Sequence, residues 1–262
     1  MCQILGCNVS AMPVLRDDWG ALSLTVSEVY DRLTVQGEGS SCGKVCTFIR
    51  LGLCNLTCQW CDTAYTWDWT GRNGIVYDRA TELRRTTVEN VVAELALCDP
   101  PRVVITGGEP LLQTRAVLAL AAAIDRDLQA AVEVETNGTM LPHPIWNQVI
   151  WLRPVQWNVS PKLWNSGVAL DERLDFDVLA WFAAQPSATL KFVCESADDV
   201  AEAAHVAERA GFAPDRVWVM PEGRDVATLD WHSSLMVDAA LQHRFNITPR
   251  LHVQLWGTER NR

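Results

Sequence analysis

Short apolar runs alternate with amphipathic segments along most of the chain. Such runs are typical of strands that are buried on both faces of a sheet. They predict strands at Val45–Leu51, Val103–Thr106, Ala131–Glu135, Val155–Val159, Thr189–Cys194, Val217–Met220 and Leu251–Leu255. Apolar positions recurring with helical spacing predict helices at Val88–Leu97, Arg115–Asp127, Phe176–Ala184, Asp198–Ala210 and Val226–Arg244.

The alternation of strands with helices predicts a parallel sheet covered by helices. About six such units favour an α/β fold, an incomplete (β/α)6-type TIM barrel with a curved parallel sheet, over a closed eightfold barrel. No internal repeat or linker divides the chain. We therefore expect one domain at residues 25–262, preceded by a leader of uncertain order at residues 1–24.

Composition narrows the class of protein. Hydrophobic residues make up 48% of the 262 residues and charged residues 21%, as in folded soluble proteins. The net charge is −10 and no Lys/Arg cluster occurs, which favours a small-molecule substrate over a nucleic acid. The start of the chain has no signal-peptide pattern and no stretch approaches transmembrane length. We expect a cytoplasmic protein that does not bind membranes.

The main chemical signal is Cys54-x3-Cys58-x2-Cys61, which directly follows the first predicted strand. Thiolates are ligands for iron–sulfur clusters, zinc and copper(I). A cubane cluster takes four ligands, so three cysteines would leave one iron open to a non-protein ligand. The alternative is a structural zinc with a fourth ligand from Cys42 or Cys46, although zinc sites more often pair their ligands across a long gap.

Polar and glycine-rich segments follow successive predicted strands. The carboxyl ends of parallel strands meet at one edge of a sheet, where catalytic groups gather in such folds. We therefore expect one site at this edge, built from the cysteine loop and from segments 107–110, 135–138, 160–162 and 221–223, with Lys191 inside the fifth strand.

The cysteine motif and Thr106-Gly107-Gly108-Glu109-Pro110 together resemble the radical SAM superfamily. The resemblance implies a [4Fe–4S] cluster on Cys54, Cys58 and Cys61, with S-adenosylmethionine (SAM) on the fourth iron. It also implies that the Gly-Gly-Glu-Pro segment contacts the SAM amino group. Glycines let a backbone approach a ligand closely, and a carboxylate attracts an ammonium.

Further segments resemble the 7-carboxy-7-deazaguanine synthase family within that superfamily. They are Thr34–Gly39, Arg50, Cys61-Asp62-Thr63 and Asn158–Lys162, and the resemblance spans roughly Ser27 to Gly257. It implies a lyase that contracts the ring of 6-carboxy-5,6,7,8-tetrahydropterin to 7-carboxy-7-deazaguanine with loss of ammonia. In this reaction SAM yields a 5′-deoxyadenosyl radical and is regenerated, and Mg²⁺ assists.

The resemblance also assigns roles to residues. Thr63 would bind Mg²⁺ through its hydroxyl. SAM would be bound by Asp62, Gly107, Gly108, Glu109, Thr136, Asn137, Ser160, Pro161, Lys162, Met220, Pro221 and Glu222. The substrate would be bound by Val35, Gln36, Gly37, Glu38, Arg50, Thr106, Lys191 and Gln254. Glu38 would accept hydrogen bonds from the guanidine-like edge of the pterin, and Arg50 would face its carboxylate.

The end of the chain departs from some relatives, which close over the substrate with a Gln-Thr-His segment. The corresponding stretch here reads Val253–Gly257 and has no histidine, so Gln254 is assigned and His252 is interpreted as a strand residue. The resemblance implies a homodimer, a flavodoxin or ferredoxin reductant and a place in queuosine-type 7-deazapurine biosynthesis. One alternative is a radical SAM activase of a glycyl radical enzyme, which would not explain segment 36–39 or Arg50.

Overall fold

A computed structural model describes residues 18–149, 151 and 153–262. Most of the predicted leader, residues 1–17, lies outside the described residues. The last two residues assigned to the leader, Ser23 and Leu24, begin the first strand, and Leu24 is fully buried in the core.

Ten strands form the sheet in the described part of the chain. Their bounds are β1 Ser23–Val29, β2 Thr34–Val35, β3 Val45–Leu51, β4 Arg84–Thr87, β5 Arg102–Gly107, β6 Ala131–Thr136, β7 Gln156–Val159, β8 Ala188–Cys194, β9 Val217–Pro221 and β10 Asn246–Ile247. The spatial order is β10-β9-β8-β7-β6-β5-β3-β1-β4, with β2 paired to β3. Neighbours from β3 to β10 are parallel, whereas β1, β2 and β4 pair in antiparallel fashion.

Helices connect the parallel strands. Their bounds are α1 Arg79–Glu82, α2 Val88–Ala96, α3 Thr114–Ala123, α4 Leu170–Arg173, α5 Phe176–Ala183, α6 Ala197–Ala210, α7 Val226–Gln242 and α8 Leu251–Trp256. A π-helical turn, Ile124–Leu128, follows α3. The start of α6 carries a capping box in which Ser196 and Asp199 satisfy each other's backbone N–H groups.

The core lies between the sheet and these helices. Trp157 of β7 packs against Phe182 of α5 with ring centroids 5.2 Å apart, and both side chains are almost fully buried. Burial of such large apolar side chains drives this packing, at about 25 cal/mol per Å² of apolar surface. The six strands β3 and β5–β9 and their helices form the predicted incomplete (β/α)6 barrel, which leaves two sheet edges, at β4 and β10.

One predicted strand is wrong. Residues 251–255 form most of α8, although their alternation of apolar and polar residues suggested a strand. The last parallel strand is already provided by β10, and Pro249 then separates it from the following segment. Gly257, with φ of +64°, follows the helix and ends it.

Candidate active site at the carboxyl edge of the sheet

A cavity of about 360 Å³ opens at the carboxyl ends of the parallel strands. Most residues assigned from the sequence line it: Val35, Gln36, Gly37, Glu38, Arg50, Cys54, Cys58, Cys61, Asp62, Thr63, Thr106, Gly107, Gly108, Thr136, Asn137, Ser160, Lys162, Lys191, Met220 and Glu222. Four assigned residues do not line it within the described part of the chain: Glu109, Pro161, Pro221 and Gln254. The structure thus brings together segments from six strand ends.

The cysteine loop leaves β3 and lies along one wall of this cavity. Cys54, Cys58 and Cys61 are free thiols. Burial raises the pKa of the Cys54 thiol to about 12 and that of Cys58 to about 11. Buried thiolates are therefore costly here unless a cation binds them, and a bound metal reverses this preference. This set of sulfur donors fits a thiolate-bound metal group.

The two cysteines considered as a fourth ligand of a structural zinc, Cys42 and Cys46, do not line the cavity. Among the described residues, no three His, Cys, Asp or Glu side chains are grouped closely enough to hold one ion. A zinc ion needs all its ligands around one centre, whereas the thiolates of a cluster bind separate irons and stand further apart.

The Gly107-Gly108-Glu109 segment packs directly on the cysteine loop. A Cβ on Gly108 would lie 2.1 Å from the carbonyl oxygen of Leu53, so only glycine fits there. Glu109, expected to contact SAM, is fully buried instead, and its carboxylate accepts hydrogen bonds from three donors. These donors are Leu111 N (2.8 Å), Thr136 Oγ1 (2.8 Å) and Asn137 N (2.7 Å). Glu109 therefore fixes the β5 edge to the β6 edge.

Polar side chains from β6 and β7 face the cysteine loop. Asn137 donates a hydrogen bond from Nδ2 to Asn55 Oδ1 at 2.9 Å, which ties the end of β6 to the loop. Lys162 Nζ donates to Ser160 O at 2.8 Å and lies 5.7 Å from the centroid of the Trp60 ring. The ammonium of Lys162 is thus held on the same wall as the three thiols.

Glu38 lies at the centre of a buried network of charges that also lines the cavity. Its carboxylate accepts hydrogen bonds from Lys191 Nζ and from Arg250 Nε, the latter at 3.0 Å. Arg250 also donates to Asp62 and, at 2.7 Å, to the carbonyl oxygen of Gly223. Burial alone would raise the pKa of the Glu38 carboxyl, but Lys191 and Arg250 outweigh it and hold that pKa well below its usual range.

Gln36 and Thr106 are oriented by acidic residues of β6. Gln36 Nε2 donates to Glu133 at 2.8 Å and to Glu135 at 3.1 Å. Thr106 Oγ1 donates to the second oxygen of Glu135 at 2.8 Å. The amide oxygen of Gln36 in turn accepts from the backbone N–H of Glu38 at 3.2 Å. The loop that carries Glu38 is thereby fixed against the sheet.

Arg50 lines the cavity next to a second acidic residue that the sequence did not indicate. Arg50 Nε donates to Glu28 Oε2 at 2.9 Å, and Tyr65 donates its hydroxyl to the same oxygen at 3.0 Å. The other oxygen of Glu28 accepts from Arg260 Nε at 2.8 Å, and the Arg260 guanidinium lies 3.7 Å from the centroid of the Tyr65 ring. Two arginines therefore converge on one buried carboxylate.

Sequence reasoning missed Arg250 and misinterpreted His252. His252 belongs to α8, lines the cavity, and its Nε2 lies 3.8 Å from Glu38 Oε1, whereas Gln254 is exposed on the same helix. A Cβ on Gly37 would lie 2.2 Å from His252 Nδ1, so the absence of a side chain at Gly37 lets the helix dock. Arg250 follows β10, a strand of two residues that the sequence pattern did not predict, so the reasoning from strand ends could not find it.

Comparison with known proteins decides the family. The family model described as the Radical SAM superfamily matches residues 49–150. The chain is 36% identical over 231 residues to the 7-carboxy-7-deazaguanine synthase of Pyrobaculum aerophilum, covering 87% of this chain and 94% of that protein. It is 34% identical to the synthase of Hyperthermus butylicus over 88% of this chain and 92% of that one. The chain belongs to the 7-carboxy-7-deazaguanine synthase family.

The fold agrees with this membership. The crystal structure of QueE from Escherichia coli superposes with a TM-score of 0.62 at 22% identity, covering 88% of this chain and 95% of that one. The predicted α/β architecture is confirmed as a radical SAM core. Radical SAM proteins use a [4Fe–4S] cluster and SAM, and the activase alternative is not favoured by these relatives. Across the described residues, the helices are too short or too polar to span a bilayer.

Proposed function

We propose that this member of the 7-carboxy-7-deazaguanine synthase family converts 6-carboxy-5,6,7,8-tetrahydropterin to 7-carboxy-7-deazaguanine and ammonia. One observation carries the proposal: the three free thiols and the Glu38 charge network line a single cavity, and Arg250 of that network contacts Asp62, the residue after Cys61. A metal group on the thiols and a polar heterocycle beside Glu38 would therefore share this cavity. The carbon–nitrogen lyase chemistry of the family requires this juxtaposition.

Cys54, Cys58 and Cys61 would hold the cluster, which together with SAM supplies the one-electron chemistry that starts the ring contraction. The neighbouring wall would bind SAM. Gly107 and Gly108 offer backbone groups at the cavity, and Lys162 offers a cation for a carboxylate. This side of the cavity would be completed by Asp62, Thr136, Asn137, Ser160, Met220 and Glu222. Three residues that do not line the cavity would support them: Glu109, Pro161 and Pro221.

The substrate would lie between Glu38 and Arg50. A planar carboxylate can accept two parallel hydrogen bonds from the guanidine-like edge of the pterin. Lys191 and Arg250 keep Glu38 ionised for this role, and each oxygen retains a second lone pair. Val35, Gln36, Gly37 and Thr106 would flank the ring. Gln254 is exposed and is not among the described residues that line the cavity, so we leave it out of the proposed substrate site.

The wider role includes further expectations. We propose a flavodoxin or ferredoxin as the reductant, a homodimer, a cytoplasmic location and a single domain that starts no later than Ser23, where β1 begins. The product would enter queuosine-type 7-deazapurine biosynthesis. The net charge of −10 supports a small-molecule substrate rather than a nucleic acid, because an acidic surface repels phosphates.

An anaerobic assay tests the proposed function. Protein reconstituted with iron and sulfide would be incubated with the carboxytetrahydropterin, SAM and a chemical reductant, and the product identified by mass and ultraviolet spectrum. The expected result is 7-carboxy-7-deazaguanine without net consumption of SAM. Stoichiometric release of 5′-deoxyadenosine without any deazaguanine would contradict the proposed substrate assignment and favour the activase alternative. A protein that contains zinc but no acid-labile sulfide would contradict the proposed iron–sulfur cluster.

Replacing Arg50 with lysine should weaken substrate binding. A lysine keeps the charge but loses the planar fork that pairs with a carboxylate, so we expect kcat/KM to fall about tenfold, mainly through KM. Steady-state kinetics against the pterin measure this. Arg84→Lys is the matched control, because Arg84 forms an exposed pair with Glu94 away from the cavity. Equal kinetics for Arg50→Lys and the parent enzyme would remove Arg50 from the substrate site.

Replacing Thr63 with valine should remove the response to Mg²⁺. Thr63 lines the cavity next to Cys61, with its Oγ1 3.7 Å from the sulfur, and magnesium prefers oxygen ligands. Valine has nearly the same shape but no hydroxyl. We expect the rate of the parent enzyme to rise when Mg²⁺ is added and the variant rate to stay constant. A variant with undiminished stimulation would place the ion elsewhere.

A further inference from the structure

Trp67 makes a contact that none of the assigned roles explains. Its indole Nε1 donates a hydrogen bond to the sulfur of Cys61 at 3.3 Å. The side chain lines the cavity and follows a short 3-10 helix, Ala64–Thr66, where the Trp67 backbone N–H donates to Ala64 O at 3.0 Å. The indole is therefore placed by the same loop that carries the thiols.

The three sulfurs differ in their donors. The Cys54 sulfur accepts a hydrogen bond from the backbone N–H of Leu56 at 3.4 Å. Among the described residues, Trp67 alone donates a side-chain N–H hydrogen bond to one of the three sulfurs. Arg224 fixes the Cys61 end of the loop by donating from Nη2 to the Cys61 carbonyl oxygen at 2.7 Å. The sulfur and its donor are thus both held in place.

We propose that Trp67 is a positioning residue that raises the reduction potential of the cluster through its hydrogen bond to the Cys61 thiolate. Hydrogen bonds to ligand sulfurs are one of the factors that set cluster potentials. One electron from an external reductant makes the cluster and its thiolates more negative, and no bond is formed or broken. The positive end of the N–H dipole stabilises this reduced state more than the oxidised state. The inference rests on the proposed ligation by Cys61.

The test is a redox titration of the reconstituted enzyme, followed by the electron paramagnetic resonance signal of the reduced cluster. In Trp67→Phe we expect the equilibrium constant for reduction to fall about tenfold, which is about 59 mV for a one-electron couple. Trp60→Phe is the matched control, because Trp60 also lines the cavity but its Nε1 donates to Asn165 Oδ1 at 3.3 Å. Its potential should stay at the parent value.

A spectroscopic measurement on the unaltered enzyme covers the case in which Trp67→Phe fails to hold a cluster. Protein labelled with ¹⁵N-indole tryptophan should show a weak ¹⁵N coupling to the reduced cluster in pulsed resonance spectra. The coupling should persist in Trp60→Phe and vanish in a folded Trp67→Phe.

The outcomes separate this inference from the proposed function. An intact cluster with an unchanged potential in Trp67→Phe, or no ¹⁵N coupling in the unaltered enzyme, would overturn the role of Trp67 alone. Failure of the unaltered enzyme to bind four irons and acid-labile sulfide would overturn the ligation by Cys61, and the role of Trp67 with it.

Discussion

Replacing Cys58 with serine is expected to abolish turnover while leaving a folded protein. Serine has nearly the shape of cysteine, and Cys58 belongs to a small apolar cluster with Leu56 and Val168 that is separate from the main core, so folding should survive. A neutral hydroxyl is a poor ligand for iron compared with a thiolate. Loss of one of three protein ligands should prevent stable cluster assembly, and the reaction has no alternative source of its one-electron step.

Three measurements check this expectation together. Iron and sulfide content should drop, release of 5′-deoxyadenosine should reach background, and the circular dichroism spectrum should match the parent. Cys98→Ser is the matched control, because Cys98 lies after α2 and its sulfur donates to Leu95 O at 3.4 Å, away from the cavity. A Cys58→Ser protein with a full cluster and normal turnover would contradict the proposed ligation.

Six of the seven parallel strands, β3 and β5–β9, could be predicted because they are largely apolar runs, whereas β10 has only two residues and was missed. The predicted strand Val45–Leu51 has the same bounds as β3. The position of the site at the strand ends could be predicted for a related reason. Parallel pairing aligns Leu51 with Gly107 and Thr136 with Val159, so segments distant in sequence meet at one edge. The local hydrophobic pattern and the parallel direction of the strands are together sufficient to predict which segments meet at this edge.

Strands outside the parallel set escaped prediction because their pattern is weak. β4, Arg84–Thr87, is a partly exposed edge strand with no apolar residue. β1 alternates apolar and polar residues from Leu24 to Ser27, but the next buried position is the polar Glu28, which ends the pattern. Missing β1 also hid Glu28, the partner of Arg50 and Arg260. An antiparallel edge strand is recognised by the strand with which it pairs. A single segment of sequence does not contain this information.

Motifs predicted the residues of the site better than their partners. Glu109 lies in the expected segment, yet its oxygens are occupied by Leu111, Thr136 and Asn137. Arg250 lies 212 residues after Glu38 in the sequence and contacts it directly. Such contacts depend on the order of the strands in the sheet, so residue type and spacing alone could not reveal them.

Replacing Glu38 with glutamine should lower both activity and stability, for two separable reasons. The amide has one acceptor oxygen and no charge, so the edge of the pterin loses a charge-assisted pair. We expect kcat/KM to fall by about 10²-fold, which corresponds to a loss of about 3 kcal/mol. The change also leaves Lys191 and Arg250 buried with less negative charge near them. Breaking a buried ion pair from one side costs about 3–5 kcal/mol of stability.

The pH dependence of stability gives an independent signature of the same carboxylate. Because the folded-state pKa of Glu38 is depressed, its contribution is present above the unfolded-state value of about 4.3 and is lost as the pH falls below it. The unfolding midpoint of the parent enzyme should therefore decrease with acid in this range. The Glu38→Gln variant should show a shallower decrease.

The double variant Glu38→Gln with Lys191→Met separates structure from substrate recognition. Removing the ammonium that Glu38 compensated should restore part of the thermal stability, because one buried charge no longer lacks its partner. It supplies no acceptor for the pterin and also removes Lys191, itself assigned to the substrate, so kcat/KM should stay low. Recovery of kcat/KM together with stability would show that Glu38 acts only by holding the fold, and its assignment to the substrate would then be wrong.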